Sequence, residues 1–96
     1  MDDTWAHAVN SRADLAAALE NASITMLEAD VIVGLDAAKT LLMGHPPATT
    51  SDLTLQCLLD LLAAHNNESR TPKGLKLDFK SPLAVVPALD MLKHTR

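Results

Sequence analysis

Two spacings of hydrophobic residues divide the chain. In MLEADV, Leu27, Ala29 and Val31 alternate with Met26, Glu28 and Asp30; in KLDFK, Leu77 and Phe79 alternate with Lys76, Asp78 and Lys80. Successive strand residues point to opposite sides of a sheet, so each segment reads as a strand with one apolar and one charged face. Leu15, Ala18, Leu19 and Ala22 recur at helical spacing, as do Leu55, Leu58, Leu59 and Leu62. With the short runs WAHAVN and LLMGH, the pattern predicts strands near 5–10, 25–32, 41–45 and 74–79, and helices near 12–22, 52–64 and 82–93. The expected core is Leu15, Leu19, Leu27, Val31, Leu55, Leu58, Leu59, Leu62, Leu77, Phe79, Leu89 and Leu92.

Punctuation supports these boundaries. Ser11 with Asp14 three residues later has the form of a capping box, and Ser51 or Asp52 is placed to cap the second helix. Ser81-Pro82 opens the last helix with proline at its first position. Pro87 lacks a backbone donor, so that helix is expected to kink, or to split off its first turn. The order is strand, helix, strand, hairpin strand, helix, strand, helix. Alternation of this kind predicts an α/β fold with βαβ units and a parallel sheet. No repeat or linker divides residues 1–96, which read as one domain.

Composition narrows the class. A net charge of −4 leaves no general basic footprint for nucleic acid, and Trp5 and Phe79 alone offer little for base stacking. No apolar run approaches the roughly 20 residues of a membrane span. The acidic start MDDTWAHAVN lacks the layout of a signal peptide, so the expected location is cytoplasmic. The single cysteine, Cys57, reads as a core thiol.

The charged strand faces are the candidate chemistry. Strands of a parallel sheet are usually covered on both sides, so Glu28 and Asp30 on one face require a metal or cationic partners. Their oxygens, with those of Asp78, suit a hard divalent ion such as Mg²⁺ or Ca²⁺ better than zinc. His7 and His45 fall near strand ends and are candidates for general base and acid in phosphodiester chemistry, with Lys80 neutralising a phosphate oxygen. The competing reading is a structural ion-pair network in which Lys76 and Lys80 compensate the carboxylates.

Four blocks in order, WAHAVNS, MLEADV, HPPATTSDLTL and KGLKLDFKS, resemble the menorin family over nearly the whole chain. That family in turn resembles the TIM barrels of glycerophosphodiester phosphodiesterases. Those enzymes carry a His ending the first strand, a Glu-x-Asp pair on the second, a His after a hairpin, and an acidic-x-Lys on the third. The resemblance implies that His7, Glu28, Asp30, His45, Asp78 and Lys80 hold these places, with the three carboxylates as metal ligands and His7, His45 and Lys80 as catalytic groups. The enzymes follow their first His with Arg-Gly, whereas this chain reads HAVN.

A TIM barrel takes about 250 residues. The fold implied here is therefore a partial barrel: its first three βα units plus a hairpin strand, with an open sheet edge available to a partner or to self-association. The implied activity is divalent-metal-dependent phosphodiester hydrolysis or a remnant of it, acting on a small phosphodiester. Menorin relatives associated with cell-adhesion complexes that shape neuronal dendrites imply the alternative, a non-catalytic scaffold with a protein partner.

Overall fold

The computed structural model describes residues 2–94. The elements are β1 (Trp5–Ala6), α1 (Arg12–Glu20), β2 (Met26–Val33), β3 (Leu41–Met43), α2 (Leu55–Glu68), β4 (Gly74–Phe79), a 3-10 turn (Pro82–Ala84) and α3 (Val85–His94). This is a small α/β domain with a four-stranded sheet, and the sheet is mixed rather than parallel. β1 and β4 run parallel to β2, while β3 returns antiparallel to it. The tight β2–β3 connection, closed by Gly34 N–H donating to Thr40 O, is a hairpin, and a hairpin reverses the chain.

β2 is the central strand. On one edge its carbonyls at Glu28 and Asp30 accept from Val9 and Gly44; on the other, those at Thr25 and Val31 accept from Gly74 and Lys80. The lateral order is therefore β4, then β2, then β1 and β3 end to end. β3 is covered on its far side, where Met43 N–H donates to Leu53 O and Leu42 bridges to Thr54. Among the described residues the outer edges of β1 and β4 pair with nothing.

Leu27, Ala29 and Val31 are sealed from water on the face that receives the helices, and Leu15, Leu55, Leu58, Leu59 and Leu62 pack into the same cluster. Leu19, Leu77 and Phe79 are half-buried at its margin. Two expected core residues lie outside it: Leu89 is 52% exposed and Leu92 is also exposed. The cause is the rotation of α3, which turns Ala84 and Ala88 onto the core instead. Small side chains let the helix approach closely, and the larger ones fall on its outer flank.

Local boundaries have local causes. β1 ends at Ala6 rather than residue 10 because Ala8 takes φ +53°, a left-handed conformation that breaks an extended run. α1 ends at Glu20, where Asn21 leaves the helix and its Oδ1 accepts from Ser23 N–H and Oγ. α2 begins at Leu55, capped by Thr54, whose Oγ1 accepts from Cys57 N–H. Ser51 and Asp52 are engaged elsewhere: Ser51 Oγ donates to Asn10 O, and Asp52 accepts from Arg12 N–H and Nε. Pro87 is the third residue of α3, where its missing N–H has no intrahelical acceptor, and the preceding 3-10 turn is the separated first turn.

Lys73 is only 4% exposed, and its ammonium is met by backbone carbonyls. Its Nζ donates to Asn21 O at 2.9 Å and Ile24 O at 2.5 Å, so a buried ammonium closes the carboxyl end of α1. Asn66 clamps the Lys73 backbone from both sides, accepting from its N–H and donating to its C=O. Removing a charged donor from buried carbonyls costs the hydrogen bonds and strands the acceptors. Lys73→Met is expected to destabilise the domain by about 2–4 kcal/mol in urea unfolding, with α1 becoming the first helix to lose amide protection.

Candidate functional site

The charged face of the sheet builds the site. Register pairs Glu28 with Lys76 and Asp30 with Asp78 across β2 and β4. The two strands are parallel, so these side chains share one face, with Asp78 next to the last residue of β4. One carboxylate oxygen from each of Glu28, Asp30 and Asp78 lies within 4.8 Å of the others. Like charges this close repel unless something compensates them.

The compensation is specific. Ala8 N–H donates to Glu28 Oε1 at 2.8 Å, a bond made possible by the left-handed turn at Ala8. The Asp30 side chain is 6% exposed. Asn10 grips it twice: Nδ2 donates to Asp30 Oδ2, and Oδ1 accepts from Asp30 N–H, both at 2.9 Å. That amide stands in for a backbone neighbour, because β1 has ended and β3 has not begun. Lys80 completes the arrangement. Its Nζ lies 2.8 Å from Asp78 Oδ2 and 3.6 Å from Asp30 Oδ1.

The hydrogen bond from Lys80 holds the Asp78 carboxyl below the ordinary carboxylate value, with the charges of Lys80, Lys76 and His45 adding to it. The same bond raises the Lys80 ammonium above its usual value, helped by the charges of Asp78 and Asp30.

Four of the six expected site residues thus come together: Glu28, Asp30, Asp78 and Lys80. The carboxylate group includes neither His7 nor His45. His7 is exposed and stacks on Trp5, ring centroids 6.1 Å apart at 17°. It lines an open groove of about 480 Å³ between β1 and α1, together with Val9, Asp14 and Asn21. His45 is exposed beside a cis Pro46-Pro47 peptide and donates through Nδ1 to Pro46 O at 2.7 Å. A second groove, of about 380 Å³, follows the β2–β3 hairpin past Leu35, Thr40 and Thr50. The three carboxylates line neither groove.

Asn10 is the participant that spacing could not reveal. It is not a ligand type that draws notice, and its reach to Asp30 depends on the backbone turn at Ala8. The donor set itself suits a hard cation: three carboxylate oxygens from adjacent strands, with no sulfur or imidazole among them.

A small α/β domain with an acidic cluster on one face of its sheet is the class that fold and site define. The chain belongs to the menorin family: the Menorin N-terminal domain family matches residues 2–96. Among curated proteins it is similar to human Protein FAM151B, 39% identical over 95 residues, which are 97% of this chain and 32% of that protein. The chain therefore spans about a third of the length of that relative. No solved structure matches it. Among the described residues no helix is long and apolar enough to cross a membrane.

Two outcomes test the site's electrostatics. Asn10→Ala leaves the buried Asp30 without its amide partner and is expected to cost about 1–3 kcal/mol in urea unfolding. The second concerns acid. Asp78 has a lowered folded pKa, so its contribution to stability is complete above the unfolded value of 3.8 and is lost as pH falls through the folded value. The stability difference between the parent and Lys80→Met is therefore expected to be full at neutral pH and to shrink once pH drops below 3.8, as read from thermal unfolding across an acid series.

Proposed function

We propose that this menorin-family domain carries a divalent-metal site of the phosphodiesterase type, in a sheet that forms the opening part of a (β/α)8 barrel. The observation that carries the reading is the convergence of Glu28, Asp30 and Asp78 on one sheet face with Lys80 against two of them. Glu28, Asp30 and Asp78 hold the ion, Mg²⁺ or Ca²⁺. A bound cation of this kind supplies a Lewis acid for a phosphoryl oxygen.

The protein's own groups do the rest. Asn10 fixes the rotamer of Asp30, and Ala8 N–H fixes that of Glu28. Lys80, which lies against Asp78 and Asp30, would neutralise a phosphate oxygen. His7 and His45 serve as base and acid once their side chains turn inward from Trp5 and Pro46. The substrate class is a small phosphodiester.

One observation favours a second reading. Both imidazoles are engaged outside the carboxylate group, His7 with Trp5 and His45 with Pro46 O. That arrangement suits a non-catalytic menorin-type scaffold, which retains the charged face for architecture and binds a protein partner. Lys80 then acts as the permanent counterion.

Metal titration followed by thermal unfolding separates the two. On the first reading, Mg²⁺ or Ca²⁺ at 100 times its dissociation constant stabilises the chain by about 2.7 kcal/mol, and Asp30→Asn abolishes the shift. Turnover of a chromogenic phosphodiester is then expected, and is expected to fall in His45→Ala. A melting temperature indifferent to both ions, with no turnover, leaves the scaffold reading standing and removes the metal site.

A further inference from the structure

The sheet face that carries the carboxylates continues past them. Two-residue alternation along β2 puts Ile32 on the same side as Glu28 and Asp30, and the β2–β3 register places Leu42 beside Ile32 on that side. Ile32 is packed so closely on Gly44 that a Cβ there would lie 3.1 Å from Ile32 Cδ1. Leu42 leads on to Gly34, where an added Cβ would lie 3.4 Å from Leu42 Cδ1. Ile32 and Leu42 therefore form a continuous apolar stretch from Asp30 to the β2–β3 hairpin.

The groove of about 380 Å³ beside the hairpin begins on this stretch: Leu42 lines it, together with Leu35, Thr49 and Thr50. Ser51 on its wall ties it to the carboxylates, since Ser51 Oγ donates to Asn10 O and the Asn10 amide grips Asp30. The polar groups around the groove are matched to one another. Thr40 N–H and Oγ1 donate to the two carboxylate oxygens of Asp36, at 2.9 and 2.6 Å. Ser51 Oγ, besides donating to Asn10, accepts from Leu53 N–H. What the walls leave for a ligand is chiefly apolar: the Leu42 side chain, the methyls of Thr49 and Thr50, and Leu35, which is 82% exposed at the rim. Donors and acceptors already satisfied give a polar ligand little in exchange for its water, whereas an apolar group gains by leaving water.

We propose that this groove holds an apolar chain of the substrate: the phosphodiester bound at the carboxylate face has one unbranched aliphatic substituent, which runs past Leu42 toward Leu35. This deepens the phosphodiester reading of the site and rests on it. The two parts make separable demands. Lys80 and the carboxylates set the affinity common to all phosphodiesters, and the groove sets its dependence on chain length.

Calorimetric titration of the chain, in Mg²⁺, with methyl alkyl phosphates bearing ethyl, butyl, hexyl and octyl groups tests it, each compound below its micelle concentration. Affinity is expected to rise about twofold per methylene, because an open groove covers each methylene on one side only. Leu35→Ser and Thr50→Asp, both at exposed positions, are expected to leave the melting temperature within about a degree and to flatten the chain-length dependence. Lys80→Met is expected to weaken every compound by the same factor and to keep that dependence. Leu89→Ser, exposed on α3, is the control and is expected to change neither.

Equal affinity across the series overturns the proposal and leaves the phosphate site standing. A chain-length dependence that persists in both groove variants overturns it as well. Octanol binding as tightly as methyl octyl phosphate counts against it, because the groove is then unconnected with the phosphate. Absence of binding by every compound removes the phosphodiester reading and the proposal together. Flotation of the chain with phosphatidylcholine vesicles, lost in Leu35→Ser and accompanied by a flat series, assigns Leu35 to a bilayer surface and overturns the proposal.

Discussion

A carboxylate that is nearly sealed from water must be met by donors or abandon its charge, and Asp30 is that carboxylate here. It sits on the central strand, directly beside Asp78 and two residues from Glu28. Burial strengthens every interaction around it, favourable and unfavourable alike. The surroundings are arranged accordingly. Asn10 approaches from the loop after β1, Lys80 from the end of β4, and Gly44 N–H, just past the end of β3, donates to the Asp30 carbonyl. Asn10 is itself held by Ser51, next to Asp52, which anchors the start of α1 through Arg12. The loops at this end of the sheet thus meet around one charge.

Much of this was legible in the chain itself, because period-two alternation and helical spacing report the side a residue faces. β2, β4 and α2 are amphipathic in the ordinary way, and the shared face of Glu28, Asp30 and Asp78 follows from alternation plus parallel pairing. What hydrophobicity does not encode is backbone geometry. Nothing in WAHAVNS marks Ala8 as left-handed, so the early end of β1 and the reach of Asn10 stayed hidden. The segment TTSDLT holds several residues able to cap a helix, and tertiary partners decided among them: Asn10 and Arg12 drew Ser51 and Asp52 away, leaving Thr54. In α3 the pattern marks which residues are apolar. Where apolar residues occupy more than one flank, it does not say which flank meets the sheet, and the alanines took that place over Leu89 and Leu92. The histidines illustrate a related limit. Position along the strands placed them near the strand ends, but the neighbours they face, Trp5 and Pro46, depend on side-chain rotamers that spacing does not report.

The two ends of the sheet use charge in opposite ways. At the amino end a lone buried ammonium, Lys73, is held by backbone carbonyls. At the carboxyl end carboxylates gather around a half-exposed ammonium. The first arrangement is closed: donors and acceptors match, and no site for a further ion is suggested. The second is open, with more acidic oxygens than the local cations fully engage. This asymmetry separates the end that serves stability from the end where chemistry is sought.

The peptide between His7 and Ala8 belongs to two groups at once. Its N–H fixes Glu28, and its other end carries the backbone of His7, so the carboxylate and the imidazole are mechanically joined through one rigid plane. A residue at position 8 that prefers extended backbone would release the first and re-aim the second in a single step. Positions 7, 8 and 28 are therefore coupled through one peptide. During divergence of the family they are expected to change as a set, and a substitution harmless at one of them in one relative can be damaging in another whose turn is built differently.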